Sequence, residues 1–255
     1  IECSPKLKPN STNKLCDDLA RAVERVVFSD LDGLAVYFVR GVRTGDVHCG
    51  LERAPDTDII RGEETEVIGA LDALSLSGPL LYVHLGSHTK VIRVDEQNRI
   101  AGGITTLAGE LDHVVRTETI LSSVLPPEGT GPHDEELVRT GADWSEKYGL
   151  SRAFFLLRVL EQSGDCGREE LGSVFAGALA SADIQAMRGH GLLGAREPKA
   201  ILSGRPRLQS VWTFLLEREG LSVTALSADE TERAFVTGLQ EIVFNSPAFT
   251  EMGRE

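Results

Sequence analysis

The chain has 255 residues, of which 41% are hydrophobic and 5% aromatic, so it can bury a large core made mainly of aliphatic side chains. Lysine and arginine number 26 against 39 aspartates and glutamates, and the resulting net charge of −13 disfavours nucleic acid or an anionic membrane as a partner. An anionic small molecule would need a local basic pocket.

The four cysteines, Cys3, Cys16, Cys49 and Cys166, are far apart and form no Cys-x-x-Cys pair. This spacing predicts reduced thiols in a cytoplasmic protein rather than a zinc site or a disulfide framework. No apolar run approaches the roughly 20 residues that a membrane-spanning helix needs, and no signal-peptide pattern follows Ile1. We therefore expect an intracellular protein without a membrane segment.

In the first part of the chain, apolar residues at helical spacing predict a helix from about Lys14 to Val27. The segment Leu34 to Val39 is apolar throughout and short, as expected for a strand that is covered on both faces. A second predicted helix begins with Glu63 and Glu64. Acidic residues in a first helical turn are favoured by the helix dipole, so this position alone can explain them. The alternative is that one of them faces a cleft and handles a metal or a proton.

Three short β segments follow between Leu80 and Thr106, because β-branched residues alternate with polar ones and turn residues separate the runs. The turn between the first two segments is Gly86 to Lys90. Successive backbone N–H groups in such a bend can form a concave anion site, and Lys90 would add a positive charge. Taken alone, the turn also fits an ordinary polar hairpin connection.

The second half of the chain is predominantly helical up to about Arg188. His133 and the acids after it could suggest a metal site, but acidic residues after Pro132 are more typical of a helix start. A short apolar strand then ends at Gly204, where the backbone could approach a ligand. A helix, a strand and a closing helix from Glu230 to Val243 complete the α/β pattern.

Four segments together resemble one family, the 2-dehydro-3-deoxygalactonokinases. They occur in the family's order and spacing, and they are Ile60-Arg61-Gly62-Glu63-Glu64-Thr65-Glu66, Leu85-Gly86-Ser87-His88-Thr89-Lys90, Ala108-Gly109-Glu110-Leu111 and Leu202-Ser203-Gly204. The resemblance covers the chain from about Leu34 to Leu239.

The resemblance implies an α/β fold of the actin-like ATPase (ribonuclease H-like) kind, in which two lobes with mixed sheets and flanking helices close on ATP and substrate. On this basis residues 1–78 are the remainder of an N-terminal lobe, residues 79–228 are a C-terminal nucleotide-binding lobe, and residues 229–255 are a closing helix and tail. An Asp-x-Gly-Thr-Thr turn typical of the superfamily has no match before Leu34. Counted back from Arg61 it would precede Ile1, so we expect the first lobe to be incomplete.

The resemblance also assigns roles to single residues. The phosphates of ATP would be held by the turn residues Gly86, Ser87, His88, Thr89 and Lys90. Gly204 would lie near the adenosine. Glu63 or Glu64 would serve at Mg²⁺ or as the catalytic base, with Glu63 the candidate ligand for Mg²⁺. Arg61 would pair with the carboxylate of the sugar acid or orient a glutamate, and Glu110 would also bind the substrate. Leu85 and Ala108 depart from the family's proline and threonine.

The implied function is an ATP- and Mg²⁺-dependent kinase that phosphorylates 2-dehydro-3-deoxy-galactonate or a similar keto-deoxy sugar acid. A homo-oligomer is compatible with the sequence. Two other classes remain open at this point, namely a catalytically inactive sensor of a sugar acid or nucleotide, and a structural domain with an empty Gly86 turn. Two histidines are also open: His88 could donate to a phosphate or satisfy a carbonyl, and His84 fits a hydrogen-bonded core residue better than a ligand.

Overall fold

The computed structural model describes residues 14–45, 50–127, 132–193 and 199–250. The strands are β1 (Glu24–Phe28), β2 (Leu34–Phe38), β3 (Val42–Arg43), β4 (Ile59–Ile60), β5 (Leu80–Leu85), β6 (Thr89–Val94), β7 (Ile100–Thr106), β8 (Lys199–Gly204) and β9 (Ser222–Ala225). The α-helices are α1 (Lys14–Arg21), α2 (Glu63–Ala73), α3 (Ala108–Glu118), α4 (Glu135–Tyr148), α5 (Leu150–Ser163), α6 (Arg168–Gly189), α7 (Pro206–Arg218), α8 (Ala228–Phe244) and α9 (Pro247–Thr250).

A five-stranded mixed sheet with the order β7-β6-β5-β8-β9 forms the centre of the fold. The strands β5, β6 and β7 run as an antiparallel meander, and β8 and β9 join parallel to β5. Strand β5 is central because it pairs with β6 on one edge and with β8 on the other. The carboxyl ends of β5 and β8 therefore lie side by side, with Leu85 opposite Gly204.

Helices cover both faces of this sheet. Alternate residues of β5 point to opposite sides, as the two-residue period of a strand requires. Leu81, Val83 and Leu85 pack with α4, α6 and α7, whereas Leu80 and Tyr82 pack with α1, α2 and α8. A third apolar cluster joins α3, α5 and α6. The sheet and its helices thus form three layers.

Glycines allow the helices within each layer to approach closely. A Cβ on Gly69 of α2 would lie 1.9 Å from the carbonyl oxygen of Ala234, and one on Gly238 of α8 would lie 1.9 Å from that of Thr65. The pair α4 and α6 repeats this arrangement, since Gly141 and Gly177 face the backbone of the opposite helix. Only residues without a side chain fit at these crossings.

The fold class is confirmed, because the chain forms a mixed sheet flanked by helices. The three β segments between Leu80 and Thr106 are confirmed as β5, β6 and β7, joined by the turn at Gly86. The predicted helix that begins with Glu63 and Glu64 appears as α2. Within the described ranges, no helix combines the length and the apolar character needed to cross a bilayer.

Two local predictions were wrong. The helix expected from Lys14 to Val27 ends at Arg21, and Glu24–Phe28 is strand β1, which pairs antiparallel with β2. Its β-branched valines favour the extended state once a partner strand is available. The strand after Leu34 is not covered on both faces, because Leu34 and Phe38 are exposed in this two-stranded ribbon.

Two further predictions concern the division into lobes and the cysteines. The division at residue 78 stays a prediction, although α1 and α2, which precede it, share one core with the sheet and with α8. Cys16 and Cys166 are free thiols, and burial raises the pKa of Cys16 to about 12. Cys3 and Cys49 lie outside the described residues, as does the lead-in before Lys14.

The helix crossing of α2 and α8 yields a stability prediction. Replacing Gly69 with alanine places a methyl group against the Ala234 carbonyl, and we expect the free energy of unfolding to fall by about 1–3 kcal/mol, as for other overpacked interiors. Urea denaturation followed by circular dichroism measures this change. The matched control is Gly189→Ala at the exposed end of α6, where a Cβ would meet no atom within 4 Å. Equal stability of the two variants would contradict the close crossing.

Candidate functional site

The Gly86 turn lies at the edge of the sheet where β5 ends and β6 begins. The amide of Gly86 donates to the carbonyl of His88 at 3.2 Å, so this N–H group stabilises the bend itself. A Cβ at Gly86 would lie 2.9 Å from Nε2 of His84. A side chain at this position would therefore crowd the imidazole of His84.

The amino end of α3 packs directly on this turn. A Cβ at Gly109 would lie 2.2 Å from the carbonyl oxygen of Gly86 and 2.6 Å from that of Ser87. Beside this contact, Nε2 of His88 and Oε1 of Glu110 are 2.8 Å apart, and both side chains are exposed. The structure thus brings together the turn and the Gly109-Glu110 segment, which are more than 20 residues apart in the sequence.

Gly204 stands next to the same turn at the end of β8. Its φ angle is +83°, and a Cβ would lie 2.4 Å from the carbonyl oxygen of Leu85. That oxygen also accepts a 2.8 Å hydrogen bond from the amide of Arg205. The glycine therefore lets the chain turn sharply from β8 into α7 while in contact with β5.

Lys90 lies on the first residues of β6, and its side chain is directed away from the turn into the protein. Its ammonium donates to the carbonyl of Ile59 at 2.8 Å and to Oγ1 of Thr105 at 3.3 Å. The Thr105 hydroxyl in turn donates to Asp58 at 2.9 Å. Lys90 thus attaches the segment before α2 to the sheet.

Glu63 and Glu64 both fold back on the start of α2. Oε2 of Glu63 accepts from the Arg61 amide at 3.2 Å and lies 3.8 Å from the Lys90 ammonium. Oε2 of Glu64 accepts from the Gly62 amide at 2.6 Å, and burial raises the pKa of this carboxyl although the Lys90 charge opposes the rise. The Arg61 side chain is exposed. Glu63, Glu64 and Lys90 therefore form one cluster on the α2 side of the turn.

The surroundings of Glu63 do not complete a magnesium site. Within the described ranges, no three acidic, histidine or cysteine side chains come close enough together to hold a metal. The nearby Lys90 ammonium would also repel a cation from Glu63. A magnesium ion at this site would need most of its ligands from the phosphates of a bound nucleotide.

The other side of the turn borders a small pocket beside α6. Its lining includes Gly86, Thr89, Gly109, Asp112 and Asp183. Asp183 was not among the predicted site residues. Oδ2 of Asp183 is buried and has no hydrogen-bond partner among the described residues. Burial raises the pKa of Asp183 from 3.8 to about 6, against the effect of the Thr106 and Thr89 hydroxyls.

Asp112 is a second residue that the sequence did not reveal. It is almost fully buried on α3, where its carboxylate contacts the guanidinium groups of Arg116 at 2.9 Å and of Arg205 at 3.7 Å, and also that of Arg207. Nearby, burial lowers the pKa of His133, and the Arg207 and Arg116 charges add to this effect. In the sequence, two of these arginines follow Gly204 on either side of Pro206.

A family model for 2-keto-3-deoxy-galactonokinase matches residues 11–242. The chain belongs to the 2-keto-3-deoxy-galactonokinase family. The match includes the Gly86 turn, α3 and the β8 end that the fold brings together.

Similar proteins support this placement. A 2-dehydro-3-deoxygalactonokinase of Escherichia coli K12 is 25% identical over 189 residues, which cover 74% of this chain and 61% of that protein. A Rhizobium meliloti 1021 protein assigned as 2-dehydro-3-deoxygalactonokinase DgoK1 is 29% identical over 183 residues, covering 69% and 57% of the two chains. The chain therefore spans about three fifths of the length of the curated relatives it matches.

A solved structure gives the same fold. A crystal structure of a protein from Sinorhizobium meliloti, assigned as a 2-dehydro-3-deoxygalactonokinase, superposes with a TM-score of 0.68 and 22% sequence identity. The match covers 89% of this chain and 71% of the other. This family member thus shares the architecture described above.

Asp183 yields a pH-dependent stability prediction. Because its folded-state pKa is about 6 and its ordinary value is 3.8, the folded protein binds the proton more tightly, and ionisation should lower stability as pH rises from about 4 to 6. Replacing Asp183 with asparagine removes this loss. We expect the variant to exceed the wild type by about 2 kcal/mol at pH 8, with little difference at pH 4.

Urea denaturation at the two pH values measures this difference. Asp56→Asn is the matched control, because Asp56 is exposed. A constant difference between wild type and Asp183→Asn across the pH range would contradict the buried, ionising carboxyl.

Proposed function

We propose that this chain carries the nucleotide-binding part of an ATP-dependent kinase that phosphorylates 2-dehydro-3-deoxy-galactonate or a similar keto-deoxy sugar acid. The observation that supports it most is the packing of α3 on the Gly86 turn, within a chain that matches the kinase family over residues 11–242. Turns and helix starts of this kind can bind anions through their backbone N–H groups.

In the proposed complex, the residues Gly86 to Lys90 bind the phosphates of ATP. The amide of Gly86 is engaged with His88, so the exposed Ser87 and the half-buried His88 are the members most open to a ligand. The amino end of α3 adds the partial positive charge of its helix dipole, which favours an anion. Thr89 and Lys90 are buried and would act by fixing the strand that carries the turn. Because Gly204 has no side chain, the end of β8 would leave room for the nucleoside to approach.

The substrate would bind near the turn, where Arg61 precedes α2 and Glu110 lies in the first turn of α3. A keto-deoxy sugar acid carries a carboxylate, and the exposed guanidinium of Arg61 can pair with it through charge-assisted hydrogen bonds. Glu110, held beside His88, would accept a bond from a sugar hydroxyl. The raised pKa of Glu64 makes its carboxylate a stronger base, which suits the removal of a proton from the attacking hydroxyl.

The proposal includes Mg²⁺, which would bind together with the nucleotide. When bound, it would neutralise phosphate charge during transfer. Glu63 is its candidate protein ligand. Without a bound nucleotide, the Lys90 ammonium, 3.8 Å away, balances the negative charge of the Glu63 carboxylate. A cytoplasmic location, where ATP is available, is part of the same proposal.

Calorimetric titration tests the proposal. ATP with Mg²⁺ and the sugar acid are added to the encoded full-length protein, and ADP release is followed by a coupled assay. Heat with turnover supports the kinase, heat without turnover indicates a catalytically inactive sensor, and no heat indicates a structural domain.

A substitution in the turn locates the phosphates. Replacing Ser87 with glutamate adds a negative charge at an exposed position, and we expect ATP affinity to fall at least about tenfold, since like charges in one site repel. Ser151→Glu on the exposed start of α5 is the control and should bind ATP like the wild type. Unchanged affinity in Ser87→Glu would place the phosphates elsewhere.

A further inference from the structure

A buried polar network lies directly below the Gly86 turn on the α2 side of the sheet. One carboxylate oxygen, Oε2 of Glu66, accepts from the Tyr82 hydroxyl at 3.0 Å and from the Ser203 hydroxyl at 3.1 Å. The same oxygen lies 2.9 Å from Nδ1 of His84. The network joins α2 to the neighbouring strands β5 and β8.

The network orients the imidazole of His84. Because the carboxylate of Glu66 is an acceptor, Nδ1 of His84 carries the proton of their hydrogen bond. Nε2 is the other ring nitrogen, and it lies 2.9 Å from the position that a Cβ at Gly86 would occupy. Since residue 86 has no side chain, nothing on that residue covers this edge of the ring, and the His84 side chain keeps 20% of its surface exposed.

The buried carboxylate of Glu66 does not need a histidine to find hydrogen-bond donors. Tyr82 and Ser203 are fully buried and already give Glu66 two donors. The imidazole adds a group whose second nitrogen points out of the network and toward the turn.

We propose that His84 is a phosphate-binding residue, whose Nε2–H donates to a phosphate oxygen of the nucleotide held at the Gly86 turn while Glu66 fixes its orientation. This inference rests on the function proposed above. It adds a contact from within the sheet, outside the residues Gly86 to Lys90 that form the turn.

The surrounding charges favour the protonated imidazole that this contact requires. Burial lowers the pKa of His84, but the hydrogen bond with Glu66 and the charges of Glu66 and Glu63 outweigh it, and the pKa is raised overall. Lys90, on the adjacent strand β6, opposes the rise. The remaining neighbours, Tyr82 and Ser203, are uncharged, since burial keeps the pKa of Tyr82 well above its usual value.

The sign of the pH dependence follows. His84 carries its charge below its raised pKa and loses it as pH increases through that value, so its share of the phosphate affinity should decline in the same interval. Replacement by glutamine keeps an amide donor for Glu66 but removes the charge.

Calorimetric titration of the full-length protein with ATP and Mg²⁺ at pH 6 and pH 8.5 tests the proposal on His84→Gln. At pH 6 the variant should bind ATP about tenfold more weakly than the wild type, and this ratio should become smaller at pH 8.5. Using the ratio at each pH cancels the titration of ATP itself. His113→Gln, at an exposed position of α3, is the matched control and should bind like the wild type at both values.

A measurement on the unaltered protein guards against misfolding of the variant. In ¹⁵N spectra of the histidine side chains, Nε2 of His84 should shift when ATP binds, and Glu66→Gln should lower the pKa of His84. Absence of ATP binding by the wild type would overturn the proposed function together with this inference. Binding by the wild type with an unmoved His84 signal, or with equal affinity in His84→Gln, would overturn the inference alone.

Discussion

The structure depends on β5, a strand with both edges hydrogen-bonded and both faces covered. Since it pairs antiparallel with β6 and parallel with β8, its end is held on two sides, and the turn that follows starts from a fixed backbone. The alternation of its side chains sends Leu81, Val83 and Leu85 into one core and Leu80 and Tyr82 into the other. His84 is directed to the second face, where its Nδ1 atom lies 2.9 Å from Glu66 of α2. One strand thus joins packing and polar chemistry.

Local pattern was enough to predict much of this arrangement. Alternating β-branched residues and the Gly86 turn identified β5 and β6, and acidic residues marked the start of α2. The pattern wrongly predicted a helix for Glu24–Phe28. This segment is a strand because it pairs with β2, and the spacing of its apolar residues does not reveal that partner. Asp183 and Asp112 were missed for a related reason. An aspartate in a helix is ordinary in sequence, and only the packing of α6 and α3 against the turn makes these two buried.

Charge in this acidic chain is arranged locally rather than as a basic surface. Lys90 binds the Ile59 carbonyl, and Asp112 contacts three guanidinium groups, so these cations have structural contacts within the protein. An anion at the turn would therefore rely on backbone N–H groups and on imidazole. Such donors are fixed in direction, and they discriminate by geometry more than a mobile ammonium does.

The glycine crossing of α2 and α8 has a consequence for the order of folding during synthesis. Gly69 and Gly238 come from opposite halves of the chain, yet each meets the backbone of the other's helix. While the ribosome is still making the later half, the face of α2 that carries Gly69 has no partner, and its apolar residues stay open to solvent or chaperones. The contact between α2 and α8 can form only after α8 has emerged from the exit tunnel.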